Sequence, residues 1–133
     1  MKALDTNILI RFLVADDEKQ AGIVRTLFKQ AELKQQKLYV PLLVMLEMLW
    51  VLASVYRIPR NKILDAIQNL LLLPVLSFDR QVAVQNFLHS AKKGNEDLSD
   101  LLIAHAAVEA GCSSVLTFDK KASGFKYFQL LAD

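Results

Sequence analysis

Short apolar runs alternate with longer helical stretches along almost the whole chain, and this alternation is the tightest constraint on its fold. Lys2-Ala3-Leu4, Leu38-Tyr39-Val40, Val75 to Phe78, Ser114 to Phe118 and Tyr127 to Leu130 read as five strands. Between them lie six helical stretches: Asn7 to Val14, Glu18 to Gln36, Leu42 to Tyr56, Arg60 to Leu72, Arg80 to Lys93 and Leu98 to Ala110. In the second, Ala21, Val24, Leu27, Phe28 and Ala31 recur at helical spacing, with Lys and Gln filling the other face. Ile63, Ala66, Ile67 and Leu70 do the same in the fourth, which Pro59 can open. Gly94 and Gly111 follow the fifth and sixth as stops. Continuous apolar strands separated by helices predict a parallel sheet covered on both faces, a three-layer α/β/α sandwich with about five strands. A length of 133 residues with 53% hydrophobic content suits one domain, residues 1–133. No linker, repeat or low-complexity tract divides it.

One stretch tests that reading. Leu38 to Tyr56 holds a single charge, Glu47, in nineteen residues, which approaches the length of a membrane span. Pro41 interrupts it near its start, and Glu47 would stand near the bilayer centre at a cost of a few kcal/mol. Burial inside a soluble protein explains an all-round apolar helix equally well and is preferred. Met45, Met48 and Trp50 then read as core. The single cysteine, Cys112, excludes an internal disulfide and a cysteine metal cluster. No signal peptide is visible at Met1-Lys2-Ala3-Leu4-Asp5, so a cytoplasmic setting and no membrane partner are expected.

In a parallel α/β sheet, sites form beyond the carboxyl ends of the strands. Asp5 follows the first strand and Asp119 the fourth. Asp100 opens a helix, and Glu47 lies within the otherwise uncharged one. Four carboxylates converging on one edge repel each other unless cations are present. Hard divalent ions such as Mg²⁺ or Mn²⁺ suit oxygen ligands, and one or two of them equip a site for phosphodiester hydrolysis. Each acid also has a local reading. Asp5 can cap the helix that follows, Asp119 can shape a turn, and Asp97 can cap the last helix with Asp100 at its third position. Glu47 is the most informative, since an acid buried among Leu, Met, Val and Trp requires a cation, a basic partner or a cleft. Asp79 ends Val-Leu-Ser-Phe-Asp, nearly repeating Val-Leu-Thr-Phe-Asp119, and N-capping of the helix from Arg80 accounts for it.

Four segments, LDTNILIR at 4–11, VMLEMLWVL at 44–52, DLSDLLIAHAAVEAGC at 97–112 and VLTFDKK at 115–121, occur in that order. Together they resemble the PIN-domain family over essentially the whole chain, and within it the small VapC-type toxin ribonucleases of bacterial toxin–antitoxin pairs. The resemblance implies an acidic site of Asp5, Glu47, Asp100 and Asp119 that holds one or two Mg²⁺ or Mn²⁺ ions. It also implies supporting roles for Thr6 and Asn7, with hydroxyl hydrogen bonds from Ser99 or Thr117. Asp97 is a helix cap or a further ligand, and Asp79 has no counterpart in the acidic set. Endoribonuclease activity, an RNA substrate, a cognate antitoxin partner and a homodimer are implied in the same way. The face from Leu42 to Val55 and the helix from Asn7 are open to core, dimer or antitoxin roles. His89 and His105 fall on helices with no catalytic task.

Substrate grip is expected from basic residues, with Arg11, Lys92, Lys93, Lys120 and Lys121 as candidates and Lys120-Lys121 best placed beside Asp119. The overall charge of +2 looks unsuited to a nucleic-acid partner. With the four proposed carboxylates set aside, ten acids face sixteen bases, a remainder of +6. Three other readings compete with a nuclease. A phosphoacceptor signalling module wants paired acids after the first strand, where this chain has Asp-Thr-Asn, and gives Glu47 nothing to do. A haloacid-dehalogenase-type phosphatase wants a second Asp at position 7, where Asn stands. A non-catalytic interaction module would keep the fold without needing four acids.

Overall fold

The computed structural model describes residues 1–131; the last two positions of the expected domain lie outside the described residues. The chain forms two compact units, 1–79 and 80 onward. The first contains strands β1 (Lys2–Ala3), β2 (Leu38–Val40) and β3 (Leu76–Phe78). It also contains helices α1 (Thr6–Leu13), α2 (Glu18–Leu33), α3 (Leu42–Trp50) and α4 (Arg60–Leu71). The second contains α5 (Gln81–Lys93), α6 (Leu98–Glu109), β4 (Val115–Thr117) and β5 (Phe128–Leu130). All the expected strands and helices are present, within a few residues of their sequence boundaries.

Every strand pairing is parallel. In the first unit the order is β1-β2-β3, with Lys2 opposite Leu38 and Leu38 opposite Leu76. β4 and β5 form a separate two-stranded ladder, Val115 opposite Phe128. The fold is therefore α/β with parallel strands, as expected, in ladders of three and two rather than one run of five. Parallel strands need crossovers, and α1–α2 and α3–α4 supply them in the first unit.

Periodicity becomes packing most plainly in α2, where Ala21, Val24, Phe28 and Ala31 are buried. Phe28 meets Phe12 of α1 with ring centroids 4.8 Å apart. Met45, Met48 and Leu49 of α3 and Ile63, Ile67 and Leu70 of α4 complete the interior of the first unit. In the second, α5 packs on α6, and both bury their apolar stripes. α2 ends in a Schellman turn. Gln36 N–H donates to Ala31 O and Gln35 N–H to Glu32 O, at 2.8 and 3.0 Å, with Gln35 in the left-handed region at φ 55°.

Two expectations are corrected here. The helix from Leu42 is not apolar on every side of a core. Leu43, Glu47, Trp50 and Ser54 share one face at helical spacing, and that face is exposed, Leu43 at 78% and Trp50 at 59%. Glu47 is thus a solvated acid, and only Met45 and Met48 of the expected core trio are buried. The last turn, Val51–Val55, widens to a π-helix. Among the described residues no helix is long and apolar enough to cross a membrane.

The second correction concerns Asp79. α5 starts from Arg80 in the left-handed region, φ 52°, with no side-chain cap. The Asp79 carboxylate instead accepts from Leu42 N–H at 3.2 Å, at the first turn of α3. The residue preceding that helix, Pro41, has no side-chain acceptor, so an acid from the next strand takes its place. Asp79→Ala should therefore lower unfolding free energy by about 1 kcal/mol, the usual cost of a lost cap. Denaturant unfolding of the variant beside Asp79→Asn, which keeps an acceptor, measures this.

Candidate active site

In the first unit the carboxyl ends of β1, β2 and β3 lead to Asp5, Pro41 and Asp79. Asp5 is exposed and caps α1, its Oδ1 accepting from Thr6 N–H at 2.8 Å. Thr6 supports it through the backbone, and its side chain is 4% exposed. Asn7 is exposed in the same first turn. Asp5 engages only Oδ1 in its cap. Arg11 is committed elsewhere: Nε donates to Gln20 at 2.6 Å, and Nη1 reaches Tyr56 Oη at 3.2 Å and Asp16 at 3.4 Å. That network ties α1 to α2 and to the end of the π-helical turn.

The second unit holds a cavity of about 310 Å³ lined by Asp97, Asp100, Asp119, Lys121, Phe125 and Phe128, among others. Asp97 caps α6, Oδ1 accepting from Asp100 N–H at 3.0 Å. Asp100 is half-buried, and burial, then the charges of Asp97 and Asp119, push its carboxyl pKa up. Asp119 follows β4 and is fixed on both sides. Its N–H donates to Thr117 Oγ1 at 3.0 Å, and its Oδ1 accepts from the N–H groups of Lys121 and Ala122 at 2.9 and 3.4 Å. Thr117 thus makes a hydroxyl contact to the acid's backbone; Ser99 is half-buried beside Asp100 in sequence.

Sequence reasoning missed part of this lining. Asn95 and Glu96 also face the cavity, and the acid-rich run Asn-Glu-Asp before α6 was the available signal. Phe125 and Phe128 carry no such signal, because an aromatic near a strand reads as core. Lys120 is exposed beside the cavity-lining Lys121. Lys92 and Lys93 sit in the last turn of α5, where positive charge complements the helix dipole.

Neither histidine lines the acidic cavity; both line another hollow with Asn86 and Tyr127. His105 is 7% exposed, and its Nε2 lies 2.8 Å from Ser90 Oγ. It packs edge-on to Tyr127 at 5.5 Å, and burial followed by the Lys126 charge lowers its pKa. His89 is exposed on α5.

Among the described residues no three or more His, Cys, Asp or Glu gather as a metal-holding group. Mg²⁺ does not need one, since it is commonly held by one or two carboxylates and keeps several waters. The donors are hard oxygens, and the raised Asp100 pKa marks a place where negative charge lacks compensation. The donor set fits such a cation.

The sequence profile of the PIN domain matches residues 2–126. A VapC ribonuclease of Aquifex aeolicus (strain VF5) is 27% identical over 128 residues, covering 95% of this chain and 94% of that protein. The profile match begins before Asp5 and runs past Asp119, through both units and the acid-lined cavity; the chain belongs to the PIN domain family.

Proposed function

We propose that the chain is a metal-dependent endoribonuclease that hydrolyses RNA phosphodiester bonds, with Asp5, Glu47, Asp100 and Asp119 as its acidic site. The observation that carries this reading is Asp100, held half-buried among Asp97 and Asp119 with its pKa raised, in a cavity that also admits Lys121. Family membership and the name of the Aquifex aeolicus relative support the choice of RNA. The four matching segments support a toxin of a toxin–antitoxin pair, acting in the cytoplasm as a homodimer and restrained by a cognate antitoxin.

Asp5 and Asp100 would hold Mg²⁺ or Mn²⁺, with Glu47 and Asp119 completing the site or holding a second ion. When bound, the cation supplies a water of lowered pKa and offsets charge on the leaving oxygen. The protein's own groups do the positioning. The N–H groups of Lys121 and Ala122 set the Asp119 rotamer through Oδ1, leaving Oδ2 for the site. Capping by Asp97 aligns the first turn of α6, which carries Asp100. Lys121 brings positive charge to the same cavity, where a phosphate can be met. No histidine is required to move a proton.

Purified protein should cut single-stranded RNA with Mg²⁺ or Mn²⁺ and stop on addition of chelator. Asp5→Asn and Asp100→Asn should each lower the cleavage rate by roughly a hundredfold or more, as loss of a metal ligand does. Undiminished cleavage by Asp5→Asn would contradict the reading.

The raised Asp100 pKa has a consequence for stability. The folded state keeps that proton to higher pH than the unfolded chain, so stability falls as pH rises from the ordinary carboxyl range through the raised value. Above it the penalty is fully present; below the ordinary value it vanishes. Without metal, Asp100→Asn should melt at a higher temperature than the parent at neutral pH, with the gap closing towards acid. Thermal unfolding across pH checks this, and parallel melting curves at every pH would count against it.

A further inference from the structure

The amino ends of the strands in the first unit carry a feature that the acidic site does not use. A groove of about 550 Å³ is lined by Lys2, Lys34, Lys37, Gln30, Gln36 and Leu27, with other apolar groups beneath. Lys2 is far in sequence from Lys34 and Lys37 and is brought to them by the backbone. Lys2 lies opposite Leu38 in the β1–β2 ladder, one position along from Lys37, and both lysines line the groove. The Schellman turn around Gln35 folds Lys34 back beside them. Gln35 is a non-glycine residue in the left-handed region, so the turn is held against its own preference.

No carboxylate lines the groove among the described residues. The described ion pairs of this unit, Arg11–Asp16 and Arg25–Glu18, involve none of the three lysines. Glu32 lies outside the groove, in an adjoining hollow with Gln35 and Pro74 that Gln36 and Lys37 also line. The Lys37 ammonium donates to Pro74 O, a neutral partner that orients it without cancelling its charge. Lys34 caps α2, and its charge suits the negative end of that helix. This accounts for Lys34; among the described ion pairs, neither Lys2 nor Lys37 has an anionic partner.

We propose that this groove is a second RNA contact, a phosphate-backbone site formed by Lys2, Lys34 and Lys37 with Gln30 and Gln36 as added donors. RNA is favoured over an acidic protein because β1 links the two features. Lys2 and Asp5 stand three residues apart on one extended segment, about 10 Å at the rise of a strand. Because the two lie at opposite ends of β1, a strand cut at Asp5 would need several further nucleotides to pass round to the groove. The choice of RNA rests on the nuclease reading above; the positive groove does not.

The test uses the full chain with all three lysines changed, Lys2→Ala, Lys34→Ala and Lys37→Ala. A control carries Lys19→Ala, Lys29→Ala and Lys62→Ala, equal in charge lost and away from the groove. Binding of a fluorescent single-stranded RNA of about twenty nucleotides is measured by anisotropy in chelator over a range of salt, with thermal melting to confirm that both variants fold. The groove variant should bind roughly tenfold or more weakly than parent near physiological salt. Its slope of log affinity against log salt should shrink by about 2, the contribution of three phosphates on a single strand. The control should keep the parental slope. Equal slopes for parent and groove variant, or equal losses in variant and control, would overturn the proposal. Loss of polyglutamate binding in the groove variant with RNA binding intact would assign the groove to an acidic protein and overturn it as well. Cleavage of a four-nucleotide RNA with Mg²⁺ separates the two readings. An uncut short substrate with a changed binding slope would reject the nuclease and keep the groove.

Discussion

Every helix begins with N–H groups that have no partner within the helix, and in this protein carboxylates meet much of that demand. Asp5 caps α1, Asp97 caps α6, Asp79 reaches the first turn of α3, and Asp119 closes the turn after β4. β1, β3 and β4 each lead to one of these acids, Asp5, Asp79 and Asp119. In the second unit, the acids that shape the turns, Asp97 and Asp119, line one cavity with Asp100. Asp100 registers the cost, since its carboxyl is pushed up by burial and by two of these neighbours. A cation would turn that penalty into binding energy.

Local pattern was enough to read the frame. The spacing of Ala21, Val24, Phe28 and Ala31 identified α2, and short apolar runs identified the strands. Asp97 was legible as a cap because its partner, the N–H of Asp100, lies three residues away. Asp79 was not, because its partner lies thirty-seven residues away and is set by how β3 pairs with β2. The near-repeat of Val-Leu-Ser-Phe-Asp and Val-Leu-Thr-Phe-Asp hid two different tasks. One acid holds a helix of its own unit, and the other closes a turn beside the cavity.

Glu47 shows a different limit. Hydrophobic neighbours in sequence suggested burial, yet a helix places residues 43, 47, 50 and 54 on one face, and that face is exposed. Its membership in the acidic site therefore rests on the family resemblance and not on a buried charge in need of a partner. The lysine groove was illegible for the converse reason. Lys34 and Lys37 are unremarkable as exposed lysines three residues apart, and only the parallel register of β1 on β2 brings Lys2 to them.

The proposed chemistry depends on the Asp100 carboxyl, beside Asp97 and Asp119 in the cavity, being a place where charge awaits a cation. Carbon-detected NMR of the Asp100 side-chain carboxyl, titrated with and without Mg²⁺, addresses this directly. The metal-free protein should show Asp100 titrating above the ordinary aspartate range, with Mg²⁺ moving the titration to lower pH. An Asp100 carboxyl that titrates as an ordinary aspartate and is unmoved by Mg²⁺ would contradict a cation-binding role for this site.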